Sequence, residues 1–184
     1  MALLPIQLYG DDILKKKTVK ITKVDDKLLK LISDMFDTME NAEGIGLAAN
    51  QVGSTKSLFI IDLTHIEEYA HLKKMIFLNP RLENYSEEKV MMEEGCLSVP
   101  DVRAEVLRPK SFTLVYQNLE LKENRLEADN WIARVIQHEY DHLQGVYFTD
   151  RVSDEKKKEL KKVLRQIRER KIECDYPIVP KIKK

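Results

Sequence analysis

At 184 residues, 43% of them hydrophobic and 34% charged, the chain is long enough to bury a core of its own and too apolar to be disordered. Its 31 Lys and Arg balance 31 Asp and Glu, which excludes a whole-molecule attraction to DNA or to an anionic membrane and leaves only local charge to act. No apolar run approaches the roughly 20 residues of a spanning helix, and the opening MALLPIQLYG has no basic lead, so a cytoplasmic chain with no membrane partner and nothing to cleave is expected. Two cysteines, Cys96 and Cys174, are too few for a disulfide scaffold and are expected as thiols.

In chain order, Leu28, Ile32, Met35, Phe36 and Met39 recur at steps of three and four, with Asp25 or Asp26 as a cap and Gly44 as a stop, predicting an amphipathic first helix. Residues 44–53 (GIGLAANQVG) follow as a glycine-bearing loop. They match a dinucleotide fingerprint only superficially, because a helix precedes the glycines and a strand follows them, the reverse of what that motif needs. Short stretches rich in β-branched or aromatic residues predict strands over 57–63, 75–78, 89–92, 102–107 and 111–116. After Asp129 a second helix carries Trp131, Val135, His138 and His142 on one face and closes at Gly145, and a third, charged helix starts near Ser153 or Asp154 with a narrow stripe of Leu160, Val163, Leu164 and Ile167. The order predicts an α+β fold, a mainly antiparallel sheet around the central helix, with an N-terminal helix and a basic C-terminal helix. Residues 1–150 are expected to form one unit, with 151–184 as a helix and tail of the same single domain.

His138-Glu139-Tyr140-Asp141-His142 is an HExxH pattern. Its four-residue helical step puts both imidazoles on one face within reach of one metal ion, with Glu139 beside it. A divalent metal lowers the pKa of bound water, and an adjacent carboxylate can take the remaining proton and pass it to a leaving group, so hydrolysis is the natural chemistry. Two imidazoles leave a catalytic site one ligand short. Cys96, in Glu94-Gly95-Cys96-Leu97-Ser98, is the chosen third ligand, with Gly95 letting the backbone approach closely. The alternatives are that Cys96 is a core thiol and that Glu155 or Glu159 completes a peptidase-like set. In the glycine loop, Gln51 is placed to offer an amide donor to a developing oxyanion, unless the loop is only a turn. Trp131 and Val135 share the face of His138 and are expected to wall an apolar side-chain pocket, although the lone tryptophan could equally fill core.

Together, GIGLAANQVG, EGCLSVP and QHEYDHLQG, in this order, resemble the three signature motifs of the bacterial peptide deformylases. The resemblance covers most of residues 1–150, including the LPI opening and the segment from Gly10 to Leu14. It implies an α+β fold and hydrolysis of the N-formyl group from the formylmethionine of nascent polypeptides, with release of formate. It further implies that Cys96, His138 and His142 bind one divalent metal and that metal-bound water attacks the formyl carbon. Glu139 then serves as general base and acid, and the Gln51 side chain and Leu97 N–H hold the oxyanion. Fe(II) is the ion implied in the cell, while the thiolate and imidazole set also suits Zn, Ni or Co in a purified sample. The backbone of Ile45 and Gly46, the side of Glu94 and the segment around Arg103 are implied to hold an extended N-formylmethionyl peptide. Many members carry a smaller aliphatic residue where this chain has Trp131.

Residues 154–171 carry a net charge of +5 against −6 for the first 153. Such segregation suits docking to ribosomal RNA, and the resemblance points the same way, a solvated helix face being the alternative. A monomer is expected. The competing functions are an HExxH metalloendopeptidase, which would leave Cys96 idle, and a non-catalytic His2Cys metal-binding protein, which would leave Glu139 idle.

Overall fold

Leu58-Phe59-Ile60-Ile61 is apolar at every position, as befits a strand covered on both faces. The computed structural model, which describes residues 2–181, places this run as β2 (Leu58–Ile61) in a five-stranded sheet. The other strands are β1 (Gly46–Ala48), β3 (Met75–Glu83), β6 (Ser111–Gln117) and β7 (Glu123–Asp129), in the order β1-β2-β3-β6-β7 and antiparallel throughout. Successive side chains of β2 alternate between two helices. Leu58 and Ile60 join Leu28, Ile32, Met35 and Met39 of α1 (Asp26–Asn41), while Phe59 and Ile61 join Ala133, Val135, Ile136 and Leu143 of α2 (Asn130–Leu143). A separate two-stranded ribbon, β4 (Lys89–Cys96) with β5 (Val99–Pro109), flanks α2.

The caps follow the sequence at two helices of three. Asp25 accepts the Leu28 N–H at the start of α1, and Ser153 accepts the Lys156 N–H at the start of α3 (Asp154–Arg168). Asp129 sits at the N-cap of α2 but its side chain makes no capping bond. At the far end of α2, Gly145 lies at φ +75°, and a Cβ there would come within 2.5 Å of the Lys15 carbonyl, so only glycine suits the stop.

The third cluster closes the molecule around its ends. Ile6, Leu8 and Leu14 pack with Val99, Val102 and Val106 of β5, with Tyr147 and Phe148, and with Leu160 and Ile167 of α3. Val163 and Leu164 lie against the same cluster, so the predicted apolar stripe of α3 is its docking face. The chain then runs back: Ile178 bridges to Ile6 in parallel register, and Arg170 grips both carboxylate oxygens of Asp11 at 2.7 Å. Residues 182–184 of the tail, and Met1, lie outside the described residues.

Three sequence expectations are revised. The predicted single sheet is divided into a five-stranded sheet and a ribbon. The segment 46–48, read as loop, is the edge strand β1. Strand β7 was not anticipated because ENRLEAD is polar; only alternate residues turn inward, with Ala128 buried, while the other face stays in water. No helix among the described residues is long and apolar enough to cross a membrane.

Candidate active site

Because α2 repeats every 3.6 residues, its single apolar stripe continues into His138 and His142, whose ring centroids lie 5.0 Å apart. Both rings are buried. The ribbon delivers Cys96 to the same point from its turn, with Sγ 3.2 Å from His142 Nε2, and one ligand atom from each of the three residues falls within 4.8 Å of the others. A half-buried thiol and two buried imidazoles at this separation, beside a cleft, are a donor set suited to one metal ion. Glu155 and Glu159 lie exposed on α3, Glu159 bound to Lys156, and take no part in this cluster.

Each imidazole has a different environment. His138 Nδ1 lies 2.9 Å from Glu94 Oε2, which leaves Nε2 to face the cluster. Burial works against charge on His138, but the neighbouring Cys96 and Glu94 outweigh it and push its pKa well up. Burial and the facing His138 push His142 well down. Its Nδ1 is buried without a hydrogen-bond partner among the described residues.

Glu139 is buried beside the cluster, and its Oε2 has no partner among the described residues. Burial, with the charge of Glu94 behind it, pushes this carboxyl up to about 7, against the pull of His138. The room for it comes from β1: a Cβ on Gly46 would sit 2.5 Å from Glu139 Oε1. Gln51 arrives on the 3-10 turn Ala49–Val52. Its Oε1 accepts the Ala48 N–H at 2.8 Å, which turns Nε2 toward Ser98 Oγ at 3.1 Å and Cys96 Sγ at 3.6 Å. The Ser98 N–H also points at Sγ, at 3.4 Å.

Behind the helix lies a charge network that sequence reasoning missed. Glu94 accepts from Arg108 at 2.6 and 2.8 Å and from Arg134 at 2.7 Å, and Arg108 reaches on to Asp141 at 2.6 Å. All four side chains are buried. These contacts hold the Glu94 carboxyl well below the usual range despite its burial. Arg134 was findable as the residue one helical turn before His138, whereas Arg108 carried no local signal.

A cleft of about 580 Å³ opens onto this centre. Ile45, Gly46, Leu97, Arg103, Trp131 and Val135 all line it, as do Cys96, His138, Glu139 and Gln51. Glu94 borders it too, with its carboxylate bound by Arg108, Arg134 and His138, so this side chain also orients a histidine. Trp131 stacks on Tyr69 at 5.7 Å and so packs and lines at once. Gly95 is not needed for close packing within the chain, since a Cβ there would meet Arg103 at an ordinary 3.5 Å.

The model of the polypeptide deformylase family matches residues 3–158. A peptide deformylase of Salinibacter ruber is 44% identical over 97% of this chain and 95% of its own. Among solved structures, a plant peptide deformylase superposes with a TM-score of 0.85 at 34% identity, covering 93% of this chain and 92% of that one. The peptide deformylase of Ehrlichia chaffeensis in complex with actinonin gives 0.81 at 34% identity, covering 92% and 98%. Motifs, fold and relatives agree, and the chain belongs to the polypeptide deformylase family.

Proposed function

We propose that this member of the family removes the formyl group from N-formylmethionyl peptides with Cys96, His138 and His142 holding one metal ion and Glu139 moving the proton. When bound, the metal supplies Lewis acidity toward water and the formyl oxygen. Glu139 takes a proton from the attacking water and returns it to the departing amine. A buried carboxylate held near 7 is suited to both transfers at neutral pH. Gln51 Nε2 and the Leu97 N–H donate to the oxygen as it gains charge. Gln51 is suited to this because its orientation is fixed by the Ala48 N–H before substrate arrives.

The peptide lies extended along the outer edge of β1, with Ile45 and Gly46 offering backbone groups and the segment around Arg103 closing the opposite side. Val135 and Trp131 wall the methionine pocket. Fe(II) is the ion in the cell, and zinc, nickel or cobalt can replace it in purified protein. The basic outer face of α3 docks on the ribosome, a reading supported by a groove lined by Lys157, Lys158, Lys161 and Lys162.

One observation carries the catalytic reading: a buried carboxylate, its Oε2 without a partner among the described residues, beside a Cys-His-His cluster that lines a cleft. The test is formate release from formyl-Met-Ala-Ser by anaerobically purified protein, with metal content measured on the same sample. Activity tracking one metal per chain is expected, with Glu139→Ala losing about 10²-fold or more while keeping its metal. A fully metallated, folded sample that releases no formate would overturn it.

A further inference from the structure

After α3 the chain turns back and runs to the cleft, which Glu173, Cys174, Asp175 and Tyr176 line together with Trp131 and Val135. This segment lies beyond the residues matched to the family model, which end at Lys158. Several contacts hold it in place. The Tyr176 hydroxyl donates to the Leu97 carbonyl at 2.8 Å, next to Cys96. Just beyond, the Ile6 N–H donates to the Pro177 carbonyl and the Val179 N–H to the Ile6 carbonyl, at 2.8 and 2.9 Å, while Arg170 donates to the Val179 carbonyl at 2.9 Å. The tail is therefore a built part of the cleft and not a loose end.

The wall it makes is acidic. Asp101 of β5 lines the same cleft as Glu173 and Asp175. Asp101, Glu173 and Asp175 are exposed and make no ion pair among the described residues, as is also true of Glu43 on the same rim. Among the described residues the only exposed Lys or Arg lining the cleft is Arg103, which stands 3.9 Å from Glu93. Arg134, the other lining cation, is buried against Glu94. A charged side chain on a peptide lying in this cleft thus meets uncompensated negative charge.

We propose that Glu173–Tyr176 form the outer wall of the peptide cleft and that Asp101, Glu173 and Asp175 select formylated peptides with Lys or Arg downstream of the methionine over those with Asp or Glu. The proposal rests on the reading of the cleft as the peptide site. It places the C-terminal tail, and not only the catalytic unit, among the determinants of which nascent chains are processed fastest.

The test compares kcat/KM for amidated formyl-Met-Ala-Lys and formyl-Met-Ala-Glu, with formyl-Met-Ala-Ser as the neutral reference. The wild type is expected to favour the Lys peptide over the Glu peptide by about fivefold or more at low ionic strength, and the ratio to shrink at about 0.5 M salt as charges at the rim are screened. In the triple variant Asp101→Asn, Glu173→Gln, Asp175→Asn the ratio is expected near one. A wild-type ratio near one, or a high ratio kept by the triple variant, overturns the selection proposal while formate release from the neutral peptide upholds the deformylase reading. No formate from any of the three peptides removes the reading and the proposal together. If the variant does not fold, a wild-type ratio near one, or one that salt leaves unchanged, still overturns the proposal.

Discussion

Gly46 and Glu139 are 93 positions apart in sequence, yet each makes sense only with the other. The carboxylate occupies the volume that any side chain at position 46 would need, so the glycine in the motif makes room for the proposed base as well as for the proposed substrate backbone. Gly46→Ala is expected to fold, because the position lies in an extended strand, and to displace the Glu139 carboxylate by a fraction of an ångström to about 1 Å. A displacement of that size at a reacting group costs about 10²-fold, so kcat should fall far more than KM rises. Steady-state kinetics with circular dichroism on the same sample checks it, and wild-type kcat in the variant would show that Glu139 has slack in its position. The sequence pointed to both residues but could not show this relation, since a glycine in a short motif looks the same whether it clears space for substrate or for a side chain from a distant helix.

At the scale of elements, α2 carries His138, Glu139 and His142, and the β4–β5 ribbon holds it through Glu94, Arg108, Arg134 and Asp141. Removing one member strands the others in a buried site, so Glu94→Ala is expected to lose about 3–5 kcal/mol of stability in urea unfolding. The pH dependence has a definite sign. Folded Glu94 has a lowered pKa, so the unfolded chain binds more protons in acid; its stabilisation is present above the ordinary value of 4.5 and is lost as pH falls below it toward the folded pKa. Wild-type stability should therefore drop between about pH 4.5 and 3 more steeply than that of Glu94→Ala, and equal slopes would mean that the pair is not what acid breaks. The helices, the two-sided run of β2 and the HExxH face were legible because each is written in local periodicity. The edge strand β1 has three residues and no alternation to read, β7 is polar on its solvent side, and the Glu94–Arg108 pair exists only once a ribbon and a helix have met.

For the whole molecule, the arrangement of charge divides one chain into an acidic cleft side and a basic C-terminal helix, and α3 serves both the core and the outer surface. Its inner face places Leu160 and Ile167 in the cluster that also contains Ile6, Leu8 and Val106, and the segment after it reaches the cleft. Deleting everything after Ser153 would thus remove core, cleft wall and positive charge together, and a loss of ribosome binding in such a truncation would not identify the cause. Exposed lysines on the outer face separate these effects. Lys158→Ala with Lys162→Ala leaves Leu160 and Ile167 in place and removes two charges from the groove that also contains Lys157, Lys161, Arg165 and Arg168. If that groove contacts ribosomal RNA, the slope of log K against log salt for ribosome binding should fall by about 1.5 to 2, which is the release of two counterions, while formate release from a short free peptide follows wild type. An unchanged slope would move the ribosome contact off α3 and leave its lysines as a solvated face whose task is to keep a helix with a narrow apolar stripe in solution.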